Sequence, residues 1–248
     1  MIRFRDLLLG ACLVLLLGAA VSTVRRLPYQ TAQSSDHAAT VTVINTATAW
    51  HAMGGNGNWT ANKLNSWSFV DGTAPVAITV YATADAGAAT TVTAAGHGLS
   101  DGDTVTIDGS TNYNSIAQVH TVSNVAGADF KIDVAFAGDD GAGNVSRGPY
   151  LLAGANAAGE YEIAWHMSSG QPGGGAQAFE GSVFVNATEI DDLHSHRKFG
   201  AGGDVGSWAS EAIQTIAASD RVWMAVNNLD GTGNHTNDHL VLLLRRVQ

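Results

Sequence analysis

From about position 39 onward the chain alternates apolar and polar residues with a period of two, which sends successive side chains to opposite faces of an extended strand. The clearest cases are Tyr161, Ile163, Trp165 and Met167 against Glu162, Ala164 and His166, and Phe130, Ile132, Val134 and Phe136 against Lys131, Asp133 and Ala135. Further apolar runs lie at 41–44 (VTVI), 76–81 (VAITVY), 104–107 (TVTI), 181–185 (GSVFV), 221–226 (RVWMAV) and 240–244 (LVLLL). Turn clusters separate them: GGNGN at 54–58, GDDGAG at 138–143, GQPGGG at 170–175 and DGTGN at 230–234. Short strands joined by glycine-rich turns predict an all-β sandwich or barrel. Only Ser210–Ala217 reads equally as a helical turn or a strand.

Glycine supplies 29 of 248 residues with only 4 prolines and no three-residue repeat, so collagen is excluded and tight turns account for the excess. Trp50, Trp59 and Trp67 precede a tryptophan-free stretch, and Trp165, Trp208 and Trp223 follow it. That distribution predicts a small β module at 82–147, inserted into a larger β domain formed by 40–81 and 148–248. The stretch 28–39 is polar and small and reads as a linker. Upstream, Leu7–Val24 is eighteen residues without a charge, flanked by Arg3, Arg5, Arg25 and Arg26. Residues 1–27 are therefore expected to form an N-terminal apolar helix, with three roles open: membrane anchor through residues 7–24, cleaved signal, or arm buried in an assembly.

The net charge of −10, with no cluster of Lys or Arg in the body of the chain, disfavours nucleic acid as a partner. The single cysteine, Cys12, excludes a disulfide framework and a thiolate zinc site.

The last hundred residues resemble the jelly-roll superfamily that includes tumour necrosis factor and the globular heads of complement. The likeness rests on GEYEIAWHMS at 159–168, FEGSVFVNAT at 179–188, WASEAIQTI at 208–216, SDRVWMAVNN at 219–228 and HLVLLLRRV at 239–247. Ser219 stands where that superfamily carries glycine before the aspartate, here Asp220. Residues 40–81, especially NSWSFVDG, resemble the first strands of the same domain. The opening TTVTAAGHGLSDGDTVTI at 90–107 resembles small β modules of bacteriophage structural proteins. The resemblance implies a ten-stranded jelly-roll sandwich forming a homotrimer, with one sheet of each subunit toward the threefold axis. It implies a viral structural protein, in a virion or on an extracellular surface, acting in capsid decoration, assembly or host attachment. Its partners would be other virion or surface proteins and a host receptor or glycan.

Trp165, Trp223, Leu242 and Leu244 offer more apolar surface than one face of a lone sandwich needs, and they are the candidate trimer contacts. The alternative reading is a secreted or membrane-anchored carbohydrate-binding module, with Trp59, Trp67 or Trp208 exposed to stack on sugars. A hydrolase on a β scaffold is a third reading, and it requires acidic or His groups converging in a pocket.

Nine histidines raise the question of a metal, chiefly in DDLHSH at 191–196 and HTNDH at 235–239. Glycines at 231 and 233 place His235 and His239 in a turn, whereas His194 and His196 alternate as on a strand and share a face with Asp192. These histidines read as solvated or contact residues, and no metal, cofactor or catalytic residue is assigned. The adjacent pairs Asp139/Asp140 and Asp191/Asp192 would point to opposite faces of a strand, which argues against paired carboxylate catalysis. The DGD at 101–103 and the GDDG at 138–141 read as solvated turns without the spacing of a calcium loop.

Overall fold

The computed structural model describes residues 31–36, 40–42, 47–53, 59–62, 64–115, 119–170, 173–200 and 203–247. The expected N-terminal apolar helix and the turn at 54–58 lie outside them. Among the described residues the protein is all-β, with two short 3-10 turns, at Asp85–Gly87 and Asp191–Leu193, and no helix long and apolar enough to cross a membrane.

Two antiparallel sheets face each other as a sandwich. The first runs, edge to edge, Val205–Ile216, Gly159–Gly170, His235–Arg246, Thr31–Asp36 and Trp59–Asn62, with Thr40–Thr42 also on His235–Arg246. The second has Gln177–Val185 beside Arg221–Asn228, then Tyr150–Ala153, then Trp67–Val70. Thr188–Glu189 and Ser195–Phe199 extend its edge on Gln177–Val185, and Trp50–Ala52 pairs with Arg221–Asn228. The segment left open between helix and strand is a strand: Val205–Ile216 pairs with Gly159–Gly170 over twelve residues, from Gly170↔Val205 to Gly159↔Ile216. By contrast, the alternation expected over 130–136 stops pairing at Ile132.

The inner faces close one core, because the period-two apolar positions of both sheets point into it. Tyr161, Ile163, Trp165, Met167, Leu240, Leu242 and Leu244 meet Phe179, Val183, Val222, Met224 and Val226. Trp165 crosses Trp208 edge-to-face, ring centroids 5.6 Å apart, and its Nε1 donates to Leu193 O at 2.8 Å. Glycine at 181 makes this fit: a Cβ there would stand 3.3–3.4 Å from Met167, Trp208 and Trp165. Removing such a buried ring would cost about 3–5 kcal/mol.

The inserted module has its own seven-stranded sheet, ordered Val76–Ala77, Asn144–Ser146, Thr104–Asp108, His120–Ala126, Asp129–Ile132, Ala89–Thr93 and Val80–Ala84. It has its own core as well, in which Ile78, Val92, Val105, Ile107, Phe130 and Ile132 are buried. This sheet begins at Val76, ahead of position 82, because VAITVY gives Ile78 and Tyr81 to the module's core, where Tyr81 stacks on Tyr113 at 4.2 Å. The HGLSDGD segment is a locked turn. His97 Nδ1 accepts Leu99 N–H at 2.9 Å, which leaves its Nε2–H to donate to Gly127 O at 3.1 Å.

Ser219 takes φ 71°, the left-handed region that glycine enters without strain. Asp220 holds that turn, accepting Ala217 N–H at 2.7 Å through Oδ2 and Asn186 Nδ2–H at 2.8 Å through Oδ1.

Candidate functional site

The outer face of the second sheet carries the densest chemistry among the described residues, and it has an apolar half and a polar half. In the apolar half Trp223 stacks on Phe184 at 4.9 Å, and Trp50 meets Phe184 edge-on at 5.3 Å. Tyr150 and Ala225 complete the patch, and Val119 of the module closes over it. Backbone and side chain bonds from the edge strand dock the module here: Trp50 N–H donates to Ser115 O at 2.8 Å, and Ala52 N–H to Thr106 Oγ1 at 3.2 Å.

One carboxylate pins that docking. Asp103, expected in a solvated turn, is fully buried. Arg147 donates to its Oδ2 at 2.6 Å and Ser100 N–H at 2.8 Å, while Tyr150 Oη–H reaches Oδ1 at 3.1 Å. Arg221 Nε stands 3.8 Å from Oδ1. The guanidinium of Arg221 also packs over the Tyr150 ring at 5.5 Å. Glycine at 102, with φ 80°, leaves room for it, since a Cβ would come within 3.0 Å of its nitrogens. Burying an ion this completely is favourable only when the partners are this close and this numerous.

The polar half of the face is built by register. Glu180 lies opposite His196 on one side and Asn227 on the other, and His194, two residues before His196, reaches the same carboxylate. Asn227 Nδ2–H donates to Glu180 Oε1 at 2.7 Å, turning Oε2 toward the imidazoles. His194 Nε2 is 2.9 Å from Glu180 Oε2, and His196 Nε2 is 3.6 Å from it. The two imidazoles stack in parallel at 4.5 Å, and Trp50 meets His194 edge-on at 5.9 Å. Glu189 Oε1 is buried without a well-aligned hydrogen bond and sits 3.1 Å from His194 Nδ1. Burial pushes the Glu189 carboxyl up, against smaller opposing effects of Ser182 and His194. A shallow cleft bordered by Asn186, Glu189, Asp191 and Asp192 opens beside it.

The sequence brought out His194 and His196 but paired them with Asp192, whereas the structure pairs them with Glu180 and places Asp192 in the 3-10 turn. Glu180 was legible only as a polar residue within an apolar strand. The other histidine pair is not in a turn: both members lie on His235–Arg246. His235 is fully buried between Phe179 and Trp208, at 5.4 and 5.9 Å, with neither ring nitrogen hydrogen-bonded. Its pKa is pushed down from 6.5 to about 3 by burial. His239 stacks on His166 at 5.8 Å.

The GDDG carboxylates serve as turn locks. Asp139 accepts the N–H groups of Tyr81 and Gly141, each at 3.0 Å. Asp140 accepts Ser110 Oγ–H at 2.9 Å, Thr111 N–H at 2.7 Å and Asn112 N–H at 3.1 Å. Desolvation alone would raise the Asp140 pKa, but these bonds outweigh it and hold the carboxyl below its ordinary range.

The aromatic and aliphatic candidates all fall inside the single chain. Trp165, Leu242 and Leu244 are in the sandwich core and Trp223 lies beneath the module, so each of them has its contacts within one chain. Trp59, Trp67 and Trp208 are also buried, with Trp67 Nε1 donating to Tyr161 Oη at 3.3 Å and Trp208 Nε1 to Ser169 Oγ at 2.7 Å. The exposed large apolar side chains among the described residues are Val80, Val205, Ile213 and Val247, none of them aromatic. No family model matches the chain, and no curated protein matches it.

Proposed function

We propose that this chain is a non-enzymatic structural protein of a virion or extracellular surface, which assembles as a homotrimer through the outer face of its first sheet and displays the docked module. Two features support the likeness to the tumour necrosis factor and complement-head jelly rolls. Between Trp59 and Arg246 the outer domain's longer strands pass repeatedly from one sheet to the other, as a jelly roll requires. The strand order also brings Gly159–Gly170 and His235–Arg246 together in the middle of one sheet.

The observation that carries the assembly is the exposure of this face among the described residues. Ile213 is 63% exposed and Val205 56%. Glu211, Ala164, Leu243 and Gln33 form one cross-strand row of outward positions, and Ala209, His166 and Val241 form the next. Ala164 and Ala209 let another backbone approach closely. Glu162 and Arg245 pair with each other on this face, and Glu211 borders it. The carboxylates locked in turns and in the module contact support a structural role for the acidic residues. The test is the mass of the full chain by light scattering in detergent, which keeps the apolar run at 7–24 from associating. Three chains per particle are expected across dilution, and a single chain at micromolar concentration would overturn the reading.

A further inference from the structure

We propose that Glu180, His194 and His196 bind one divalent transition-metal ion of the zinc class on the outer face of the second sheet. Oε2 of Glu180 and one ring nitrogen from each histidine lie within 4.8 Å of one another. A tetrahedral zinc ion with bonds near 2.0–2.2 Å separates its ligand atoms by about 3.3 Å. The observed 2.9 and 3.6 Å from Glu180 Oε2 to His194 and His196 bracket that value.

One tautomer of His194 leaves room for a cation at this point. When the His194 Nδ1 proton faces Glu189 Oε1, the Nε2 lone pair points at Glu180 Oε2. The His196 ring lies parallel to that of His194, and rotation of its exposed side chain aims its Nε2 lone pair at the same point. In that tautomer no proton lies between His194 Nε2 and Glu180 Oε2, and one divalent ion bridges them.

The surroundings are those of a metal site. Asn227 fixes the Glu180 carboxylate from behind. Glu189 Oε1, buried and 3.1 Å from His194 Nδ1, supplies the outer carboxylate that orients a ligating imidazole and raises its basicity. Imidazole and carboxylate together suit zinc and its neighbours better than calcium or magnesium. Three protein ligands leave the fourth position, on the side of the 59%-exposed His196 side chain, to water. The ion would clamp Ser195–Phe199, paired only with Gln177–Val185, to the body of the sheet. This inference is independent of the trimer.

The test is calorimetric titration of the chelator-treated full chain with ZnCl2, alongside the visible spectrum of the Co2+-loaded protein. One site per chain and the intense absorption of four-coordinate Co2+ are expected. His196→Ala, at an exposed position, and Glu180→Gln, which retains an acceptor for Asn227, should each weaken binding more than about tenfold. His239→Ala should leave it unchanged. Absence of a saturable Zn2+ site would overturn the proposal, as would a site that survives both substitutions or disappears in His239→Ala.

Discussion

The two outer faces of the sandwich are patterned alike and finished differently. On the second sheet, the outward positions of Arg221–Asn228 and Gln177–Val185 are Trp223, Ala225, Asn227, Glu180, Ser182 and Phe184, and the chain covers the aromatic half of that face with its own module. On the first sheet, the outward positions of Val205–Ile216 and His235–Arg246 include Ala209, Ile213, Val241 and Leu243, and Ile213 remains 63% exposed. The side chains differ in a way that fits these fates. Large aromatic rings with polar handles suit a single permanent partner, as Trp223 shows by donating to Asn186 O at 2.8 Å. Small and aliphatic residues framed by charges of both signs suit an identical copy. Apolar surface marks a contact on the second face, and among the described residues the apolar surface of the first face has no such cover.

The strongest way to break this comparison is to strip the second face. Replacing residues 76–146 by a short Gly/Ser bridge would expose Trp50, Tyr150, Phe184 and Trp223 together. The expected outcome is an aggregating protein that binds a hydrophobic dye. A soluble, dye-silent sandwich would show that the module does not seal the face.

A milder disruption is Asp103→Ala, which leaves Arg147 and the Tyr150 hydroxyl without their buried partner. The expected loss is about 3–5 kcal/mol in denaturant unfolding. A loss below about 1 kcal/mol, the range of exposed ion pairs, would contradict the account of Asp103 as the pin of the docking.

Acid sharpens the contrast from the inside of the first sheet. His235 stays neutral when folded, so between its ordinary 6.5 and about 3 the unfolded chain binds a proton that the folded chain does not. The stability present above pH 6.5 is thus lost as the pH falls toward 3, with a slope of up to about 1.4 kcal/mol per pH unit from this residue. His120 and His166, both also lowered by burial, add in the same direction. His235→Leu should flatten the thermal stability profile over that window, and an unchanged profile would remove His235 as its source.

Local pattern told much of this in advance, because alternation is a property of a few consecutive residues. Tyr161 to Met167 announced its strand and its buried side. What covers each face was not legible. Trp223 and Ile213 both stand at outward positions, and the difference depends on distant contacts such as Trp50 to Ser115 and Tyr150 to Asp103. The Glu180 cluster was hidden for a related reason. It exists only in the register that sets Glu180 opposite both His196 and Asn227, and that register follows from the lengths of the intervening turns. Ser219 shows the converse, since a one-residue departure visible in the sequence marks a backbone in the left-handed region.

The measurement that bears most directly on the open face is the solution mass of Ile213→Glu beside that of the native chain. The substituted side chain points outward from an already exposed position, so the melting temperature of the isolated chain should hardly move. A charge placed in an apolar subunit contact without a partner is costly. The account predicts three chains per particle for the native protein and one for Ile213→Glu; a trimer that survives the substitution intact would contradict it.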